Sequence, residues 1–572
     1  MDQNTSPHRG APASSGIDAA DLEVALRVLA SLHELDDEHP DFVAVRRATA
    51  KMFKSVKKNR RDEKREAIQA ADKSVIAGTA TGAPDRIDDE TRGVTLAAIT
   101  SAPSAGTLIK SRPCYICKQH YTQVDAFYHQ LCPDCAAMSH AKRDARTDLT
   151  GKRALLTGGR AKIGMYIALR LLRDGAHTTI TTRFPRDAVR RFSSLPDSGD
   201  WLHRLCVVGI DLRDPAQVIG LAETVAEAGP LDILINNAAQ TVKRSPGSYA
   251  PLADAEQAPL PDGPMPEMIT FGHTNDAHPQ ALAASVAAHP LLQRAALSSA
   301  GRVVSGPTEP DDSGYERSGS ALAGPAPTGA SVVSGAAAGG AGAGGAATAA
   351  FEVRLIVDEL IDTRLLSPGE LTPDQLAASA LASGSSSLER LAAGTAIDAG
   401  GLVPDTHHEN SWTQAVHDVD PLEMLEVQLC NTTAPFLLIS KLRSSMAEAA
   451  SAAASGRSYV VNVSAMEGVF ARGYKGPGHP HTNMAKAALN MLTRTSAKEM
   501  FATDGILMTS VDTGWITDER PHPTKVRLAE EGFHAPLDLV DGAARVYDPI
   551  VRGEAGEDLC GVFLKDYKPS QW

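Results

Sequence analysis

Cysteine and long apolar runs are scarce in this sequence, and each shortage excludes a class of protein. Seven cysteines among 572 residues are too few for the disulfide framework of a small secreted domain. No run approaches the ~20 apolar residues that a membrane-spanning helix needs. The opening residues, MDQNTSPHRGAPASSG, lack the apolar core of a signal peptide. We therefore expect a cytoplasmic protein without a membrane segment.

Positive charge is also in deficit. Lysine and arginine number 56 against 69 acidic residues, a formal net charge of −13, which argues against a broad nucleic-acid-binding surface. The most basic stretch, KKNRRDEKRE at 57–66, alternates cations with anions. That alternation is typical of a solvated helix face, and nucleic-acid contact is the less favoured alternative.

The first 108 residues divide by composition. Residues 1–16 are polar and rich in proline and serine, as disordered segments are. Residues 17–76 carry apolar side chains at helical spacing, with Asp41 as the predicted N-cap of a second helix. Residues 77–108 are rich in alanine, threonine, glycine and proline, and we predict that they form a linker.

Four of the seven cysteines form two pairs. Cys114 and Cys117 are followed, after fourteen other residues, by Cys132 and Cys135. Two C-x2-C pairs at this separation can hold four thiolates around one Zn²⁺, which we favour over a redox C-x-x-C. Four protein ligands leave no open position, so the zinc would be structural and would stabilise a small module at 109–148. We assign the remaining candidates to surface, packing or buried thiol positions: His120, His129, Cys206, Cys430 and Cys560.

From Gly151 onward, short apolar runs alternate with helical segments. Six runs are predicted strands: ALLTG, HTTITT, LCVVGID, LDILINN, SYVVNVS and GILMTSVD. This alternation predicts an α/β fold, a doubly wound parallel sheet of the Rossmann type over 149–572. The stretch 243–412 interrupts the pattern and is predicted to be an insertion, with a Gly/Ala tract at 334–350 and short helices near 278–297 and 351–393.

A glycine-rich turn, TGGRAKIG (Thr157–Gly164), follows the first of these strands and opens a helix. Such a turn presents backbone N–H groups and a helix N-terminus to a pyrophosphate. Asp211 follows a later strand, and the sequence NNAA, with Asn237 and Ala238 at its centre, follows the next. This ordered set resembles the short-chain dehydrogenase/reductase family, whose motifs are TGxxxGxG, an acidic residue near the adenine, and NNAG.

The resemblance covers about 150–242 and 413–572. NTTAPF at 431–436 is similar to the family's helix with an active-site asparagine, NMAKAALN at 483–490 to its catalytic-lysine segment, and VDTGWIT at 511–517 to its PG-containing cofactor loop. The resemblance implies an NAD(P) cofactor. The residues that it assigns to cofactor binding are Thr157, Gly158, Gly159, Lys162, Ile163, Gly164, Arg183, Asp211, Leu212, Asn237, Ala238, Lys486, Thr513 and Gly514.

Two positions bear on the choice of cofactor. Lys162 stands where the family has the middle glycine of TGxxxGxG, and it can either lie over the phosphates as a point charge or obstruct them. The end of the second strand carries Arg183 and Arg186, with no carboxylate for a ribose 2′-OH before Asp187. Because guanidinium groups suit a 2′-phosphate, we favour NADP(H). NAD, with both arginines as solvated surface charges, is the alternative.

The catalytic centre departs from the family pattern. The family relays a proton through a tyrosine supported by a lysine, a serine and an asparagine. Lys486 and Asn431 match two of these, but Thr482 replaces the tyrosine of YxxxK, and its aliphatic hydroxyl is a far weaker acid. Ala465 holds the serine position, and Ser464 lies one residue early. Substitute acids are available in the adjoining loop, which is longer than the family's: Tyr474, Lys475, His479 and, foremost, His481. These can equally be ordinary polar groups of a loop.

Two functions follow from these features. The first is an NAD(P)-dependent oxidoreductase that acts on a small carbonyl or alcohol with a rearranged proton donor. The second is a catalytically inactive, dinucleotide-binding sensor or scaffold, with the zinc module and the N-terminal helices contacting protein partners. A nucleic-acid-binding protein is the least favoured, because the chain is acidic. The resemblance also implies a homodimer or homotetramer.

Overall fold

The computed structural model describes residues 16–84, 86, 102–271, 366–382, 385, 388–517 and 519–572. These residues form two compact units, one within 1–75 together with 108–110 and the other within 76–107 and 111–572. The predicted disordered N-terminus up to residue 15, the helix predicted near 278–297 and the Gly/Ala tract at 334–350 lie outside the described residues.

The first unit contains helix α1 (Ala19–Ser31) and most of helix α2 (Pro40–Ala77). Asp18 caps α1, because its carboxylate accepts hydrogen bonds from the backbone amides of two residues in the first turn. α2 begins at Pro40, a residue suited to the first helical position. Asp41 therefore lies inside the helix, and the prediction that it caps the helix is wrong. The KKNRRDEKRE run lies within α2 and is almost entirely exposed.

The second unit is built on a mostly parallel sheet. The strands among the described residues are β1 (Ser104–Pro113), β2 (His120–Asp125), β3 (Arg153–Leu156), β4 (His177–Thr182), β5 (Leu205–Gly209), β6 (Ile233–Asn236), β7 (Glu267–Thr270), β8 (Ser458–Ser464), β9 (Ile506–Asp512), β10 (Phe563–Lys565) and β11 (Lys568–Ser570). β1 and β2 form a separate antiparallel pair. The other nine are ordered β11-β10-β9-β8-β6-β3-β4-β5-β7, and only the β10–β11 pairing is antiparallel.

Helices cover both faces of this sheet. Those described after α2 are α3 (Pro133–Asp144), α4 (Lys162–Arg173), α5 (Pro185–Ser193), α6 (Ser198–Trp201), α7 (Pro215–Glu227), α8 (Pro246–Gln257), α9 (Pro373–Leu381), α10 (Leu388–Ala392), α11 (Pro421–Gln428), α12 (Ala434–Ala452), α13 (Pro480–Asp504), α14 (His522–Glu530) and α15 (Leu539–Glu554). None of the described helices is both long enough and apolar enough to span a bilayer.

Two apolar cores place the sheet in the middle of this domain. Buried side chains of α4, α5 and α15 pack on one face, and those of α7, α12 and α13 pack on the other. Because both faces are covered, the central strands β6, β8 and β9 are buried along their whole length. The predicted doubly wound Rossmann fold is confirmed.

Part of the predicted insertion packs on the sheet domain. β7 pairs with β5 and becomes the edge strand. Apolar side chains of α8 and α9 form a small core together with Phe184 and Ile397. The sequence does not predict β7, whose residues are EMIT. Only two of these four residues are apolar, and so short a segment shows no strand periodicity. The described parts of 243–412 therefore extend the Rossmann domain.

The cysteine pairs lie in what we call the Cys module, residues 104–144, which comprises β1, β2 and α3. Part of the predicted linker packs on this module: the amides of Ala80 and Thr81 donate to carbonyls of the residues that follow β2, at 3.2 and 2.9 Å. Thr81 and Arg86 are also buried. At the other end of the predicted linker, residues from Ser104 onward belong to β1.

Candidate active site and cysteine cluster

The glycine-rich turn lies at the carboxyl end of β3, where the sheet order changes direction. β4 lies on one side of β3 and β6 on the other, and open parallel sheets bind ligands at such a switch point. Thr157 ties the turn to β6, because its Oγ1 accepts hydrogen bonds from the amides of Asn237 and Ala238, both at 3.0 Å. The Asn237 side chain donates to the carbonyls of Thr157 and Gly158, at 3.1 and 3.0 Å. The two predicted motifs therefore form one hydrogen-bonded junction.

All three glycines of the turn have no room for a side chain, and Gly158 and Gly164 meet backbone atoms. A Cβ at Gly164 would lie 1.9 Å from the Gly158 carbonyl oxygen, and a Cβ at Gly158 would lie 2.9 Å from Ala238 Cα. Gly158 also has a φ of +71°, which favours glycine. No side chain caps α4, so its leading amides are available to an anion.

Lys162 adopts a glycine-like backbone conformation at the start of α4. Its φ of +52° is in the left-handed region, which costs a lysine about 1–2 kcal/mol. The Lys162 ammonium lies 4.0 Å from the Asp398 carboxylate, which Arg244 contacts at 2.9 Å. The lysine is thus drawn toward the segment 395–402, which follows α10.

The acid that follows β4 is not available to a ribose. Asp187 is buried, and its carboxylate accepts hydrogen bonds from Arg160 Nη1 at 2.5 Å and from Arg191 Nε at 2.6 Å. Burial raises the pKa of Asp187, but the two guanidinium groups more than offset it, so the pKa lies below its ordinary value. Arg160 also donates to the Gly400 carbonyl at 2.8 Å, which places the segment 395–402 beside the turn.

The two arginines at the end of β4 have different surroundings. Arg186 donates to the Ala258 carbonyl at 2.7 Å and is thereby turned toward the end of α8. The Arg183 guanidinium lies 5.5 Å from the centre of the Phe184 ring and 5.3 Å from that of Tyr249. Within the described part of the chain, Arg183 makes no ion pair. Its N–H groups are therefore available to an anion, whereas those of Arg186 are engaged.

The predicted adenine-side carboxylate is already paired. Asp211 accepts from Arg213 Nε at 2.9 Å and from Nη2 at 2.6 Å. Arg213 Nη1 donates to Glu426 at 2.8 Å. Burial raises the pKa of Asp211, and Arg213 outweighs burial and lowers it. This acid therefore stays ionised inside an internal network.

Three predicted catalytic residues lie in the first turns of α13, and all three are buried: Lys486, Thr482 and His481. Lys486 Nζ donates to the Val463 carbonyl at 2.8 Å. Burial lowers the pKa of Lys486 to about 8. Burial, with a contribution from His479, also lowers the pKa of His481, so its ring is neutral at pH 7. The Thr482 hydroxyl and both His481 ring nitrogens have no hydrogen-bond partner among the described residues.

Ser464 and Asn431 are engaged with other parts of the protein. Ser464 Oγ donates to Asn490 Oδ1 at 2.6 Å, so the hydroxyl faces α13. Asn431 pairs with the backbone of Gln240, accepting from its N–H at 2.7 Å and donating to its carbonyl at 2.8 Å. Asn431 lies in a π-helical turn, Leu429–Thr433, between α11 and α12. Such turns are frequent at functional sites.

Of the four substitute acids, only His481 is buried. Tyr474 is exposed, and Lys475 donates to the carbonyls of two residues that follow β8. The His479 ring stacks on that of Trp412, with centroids 3.9 Å apart. These contacts give Lys475 and His479 packing roles in the loop.

The cofactor loop follows β9 and contains Thr513 and Gly514. Asp512, at the end of the strand, is buried, and burial raises its pKa to about 6 although Lys565 opposes this from 3.8 Å. A Cβ at Gly514 would lie 2.6 Å from Leu537 Cδ1, so the loop packs tightly on the residues before α15.

The four cysteines of the Cys module converge. Their Sγ atoms all lie within 4.8 Å of one another. Tetrahedral zinc with Zn–S bonds of ~2.3 Å places thiolates about 3.8 Å apart. His129 is buried but bonds Thr81 at 2.8 Å, and His120 bonds Ser111 at 3.2 Å, so neither joins the cluster. The three remaining cysteines are half-buried rather than buried: Cys206, Cys430 and Cys560.

Part of the Rossmann domain is similar to a known protein family. Residues 152–257 match the family model described as short chain dehydrogenase. "Uncharacterized protein R665" of Acanthamoeba polyphaga mimivirus is 42% identical over 139 residues, which is 23% of this chain and 29% of that protein. A "Short-chain type dehydrogenase/reductase" of Picea abies is 35% identical over 114 residues, 19% of this chain and 41% of that protein. The chain thus matches less than half the length of either relative.

Solved structures are similar in fold. The carbonyl reductase Sniffer of D. melanogaster has a TM-score of 0.37 at 14% identity, and the match covers 74% of this chain and 100% of that one. The match to the short chain dehydrogenase model lies within the Rossmann domain and includes both the glycine-rich turn and its junction with the residues after β6.

Some residues of the site could not be found from sequence. Asp398 and Arg244 lie in the predicted insertion and carry no motif, and Arg160 falls on an unspecified position of TGxxxGxG. Arg213 stands two residues after Asp211, and that spacing is the one signal that could have revealed their pairing.

Gly164→Ala should destabilise the Rossmann domain, because the added methyl group meets a backbone oxygen at 1.9 Å. Overpacking of this kind costs about 1–3 kcal/mol. The midpoint of denaturant unfolding, followed by fluorescence, should fall. Gly199→Ala, where nothing lies within 4 Å, is the matched control. Equal midpoints for the two variants would contradict the packing described for the turn.

Proposed function

We propose that this chain is an NADP(H)-dependent oxidoreductase of small carbonyls or alcohols, in which Lys486, acting through the Thr482 hydroxyl, supplies the proton that a tyrosine supplies in the family. The observation that carries the proposal is the placement of Lys486, a buried amine on α13 whose Nζ donates to the Val463 carbonyl at 2.8 Å. Burial lowers the pKa of this amine to about 8. A general acid works best when its pKa lies near the operating pH. The partnerless Thr482 hydroxyl, one helical turn earlier, provides a second group on the same helix face.

The protein's own residues supply or accept the proton that is exchanged with the substrate in this reaction. A bound nicotinamide would supply the hydride. In carbonyl reduction, the Lys486 ammonium holds the proton, and the Val463 carbonyl fixes its Nζ at 2.8 Å. Thr482 passes its hydroxyl proton to the substrate oxygen and receives one from Lys486 in exchange. Alcohol oxidation uses the same path in reverse, with the neutral amine as base. His481 lines the site as a neutral ring.

The charges at the end of β4 favour NADP(H) over NAD(H). Arg183 makes no ion pair among the described residues, and its fork of N–H groups suits a 2′-phosphate. Asp187, the nearest acid along the chain, is neutralised by Arg160 and Arg191 and does not repel that phosphate. The uncapped start of α4 and the close-packed glycines fit a pyrophosphate. Lys162 adds a cation at the same turn.

Arg183→Gln should weaken NADPH binding about 10-fold or more, because a charge-assisted hydrogen bond is worth about 1.5–3 kcal/mol. NADH, which has no 2′-phosphate, should bind both proteins within about twofold. Calorimetric titration with each nucleotide measures this. Arg186→Gln is the control, since its guanidinium already bonds the Ala258 carbonyl. An equal loss of NADH affinity in Arg183→Gln would show that the arginine does not select a phosphate.

Lys486→Met should lower carbonyl reduction by about 10²–10⁴-fold, the usual contribution of a general acid. In the unaltered protein, the reduction rate should fall as pH rises through about 8, because the ammonium loses its proton. Alcohol oxidation should rise over the same range. His481→Gln serves as control and should keep this profile. A Lys486→Met protein whose rate keeps that pH dependence would exclude Lys486 as the donor.

The alternative is a catalytically inactive dinucleotide-binding sensor or scaffold. The orientation of Ser464 favours it, because this hydroxyl is bonded to Asn490. The absence of a tyrosine at position 482 favours it as well. Nucleotide binding without any Lys486-dependent turnover on a panel of carbonyls and alcohols would support this alternative.

We also propose that the four-cysteine cluster holds a structural Zn²⁺. The thiols of Cys114, Cys117, Cys132 and Cys135 offer the ligand set and the spacing that closed zinc sites use. Four protein ligands leave no position for substrate, so the metal contributes to folding rather than to chemistry.

Cys117→Ser should lower zinc well below one ion per chain, measured by atomic emission on freshly purified protein. It should also lower the thermal midpoint, because metal binding stabilises the folded state. Cys206→Ser, whose thiol lies outside the cluster, should retain the metal. If zinc content is low in the unaltered protein and the same in both variants, there is no structural site.

A further inference from the structure

The Cys module reaches the cofactor loop through Tyr115. This residue directly follows Cys114 of the cluster, and its amide donates to the Gln130 carbonyl at 2.8 Å. Its hydroxyl accepts a hydrogen bond from the Trp515 amide at 3.0 Å. Trp515 directly follows Gly514 of the cofactor loop. One side chain therefore joins the cluster to the loop.

The module also holds the start of α15. Asp538 is the N-cap of this helix, and Asp541 completes its capping box. Arg143 of α3 donates to both Asp538 oxygens, at 2.5 and 3.1 Å, and the Tyr128 hydroxyl donates to Asp541 at 2.6 Å. Both carboxylates are buried. Removing Arg143 or Tyr128 would leave a carboxylate buried without its partner, and an unpaired buried charge carries a large desolvation cost. These contacts therefore restrain the start of α15 strongly.

A third set of contacts involves the residues between the cofactor loop and the start of α15. Arg86, which precedes the module, donates to the carbonyls of Ala535 and Leu537 at 2.7 and 2.6 Å. Leu537 in turn packs on Gly514, at a distance that leaves no room for a Cβ. The cofactor loop is thus held directly at Trp515 and indirectly through Leu537.

We infer that the Cys module positions the cofactor loop: through Tyr115, it holds residues 513–517 in the arrangement that binds the nicotinamide nucleotide. The module has one two-stranded hairpin and one short helix, which are marginal alone, so the Zn²⁺ proposed above would stabilise this arrangement. Tyr115 is a positioning residue, since it acts through the Trp515 backbone. The inference rests on the proposed function only where nucleotide binding is the readout.

The test compares Tyr115→Phe with Tyr121→Phe in the full chain. Tyr121 is a second buried tyrosine of the module, and its hydroxyl donates to the His129 carbonyl at 2.8 Å, inside the module. Three quantities are measured for each protein: zinc content, amide hydrogen exchange in peptides spanning 513–517, and the Kd for NADPH. A turnover assay adds KM for NADPH and kcat.

In Tyr115→Phe, we expect unchanged zinc, exchange at 513–517 faster by about 2–10-fold, and a Kd for NADPH weaker by a similar factor, the range given by one lost hydrogen bond. KM for NADPH should rise with kcat unchanged. Tyr121→Phe should match the unaltered protein at 513–517. Chelation of the metal should speed exchange there as well.

Unchanged exchange at 513–517 in Tyr115→Phe would overturn the inference, and so would an equal effect from Tyr121→Phe. If the unaltered protein binds neither NADPH nor NADH, the proposed function fails. The exchange comparison still decides the positioning role in that case, because it needs no nucleotide.

Discussion

The hydrogen-bonded junction between the glycine-rich turn and the residues after β6 determines where the other candidate groups lie. Thr157 Oγ1 accepts two amide hydrogen bonds there, and the Asn237 side chain returns two to the turn. β4 and β5, with the arginines and Asp211, lie on one side of this junction, and β8 and β9 lie on the other. Because Gly158 and Gly164 admit no side chain, the turn has little freedom to shift. The residues proposed to bind the phosphates and those proposed to act near the nicotinamide are therefore both positioned relative to this junction.

Much of the fold is readable from sequence, because a parallel sheet imposes a regular alternation of apolar runs and helices. All six predicted strands are present, and the spacing of four cysteines indicates the cluster that the structure brings together. Motif order predicts that Thr157 and Asn237 follow neighbouring strands, and in the structure they follow β3 and β6. These features are local: each depends on residues close together in the chain, where periodicity and spacing carry information.

Features that depend on distant pairings are not readable in this way. The partner of Ser464 lies on α13, and that of Lys162 lies in a segment without any motif. Whether the Ser464 hydroxyl faces a ligand or helix α13 depends on tertiary packing, which no local sequence pattern encodes. The same holds for Tyr115, whose hydroxyl meets a backbone amide 400 positions away. The Thr482 hydroxyl is buried without a hydrogen-bond partner among the described residues, and folding alone does not explain such a group.

The pairing of β6 with β8 joins residues that are 226 positions apart, as Asn236 and Asn462 show. Loop-closure entropy grows only logarithmically, by ~0.6 kcal/mol per doubling, so this separation costs little at equilibrium. During synthesis, however, the same separation imposes a delay between the two strands. At the ribosome's usual pace, β8 emerges about 10–45 s after β6. During that interval the half-sheet from β6 to β5 has an open edge, which is an aggregation hazard. The edge of β6 is therefore exposed during synthesis and is covered only when β8 pairs with it.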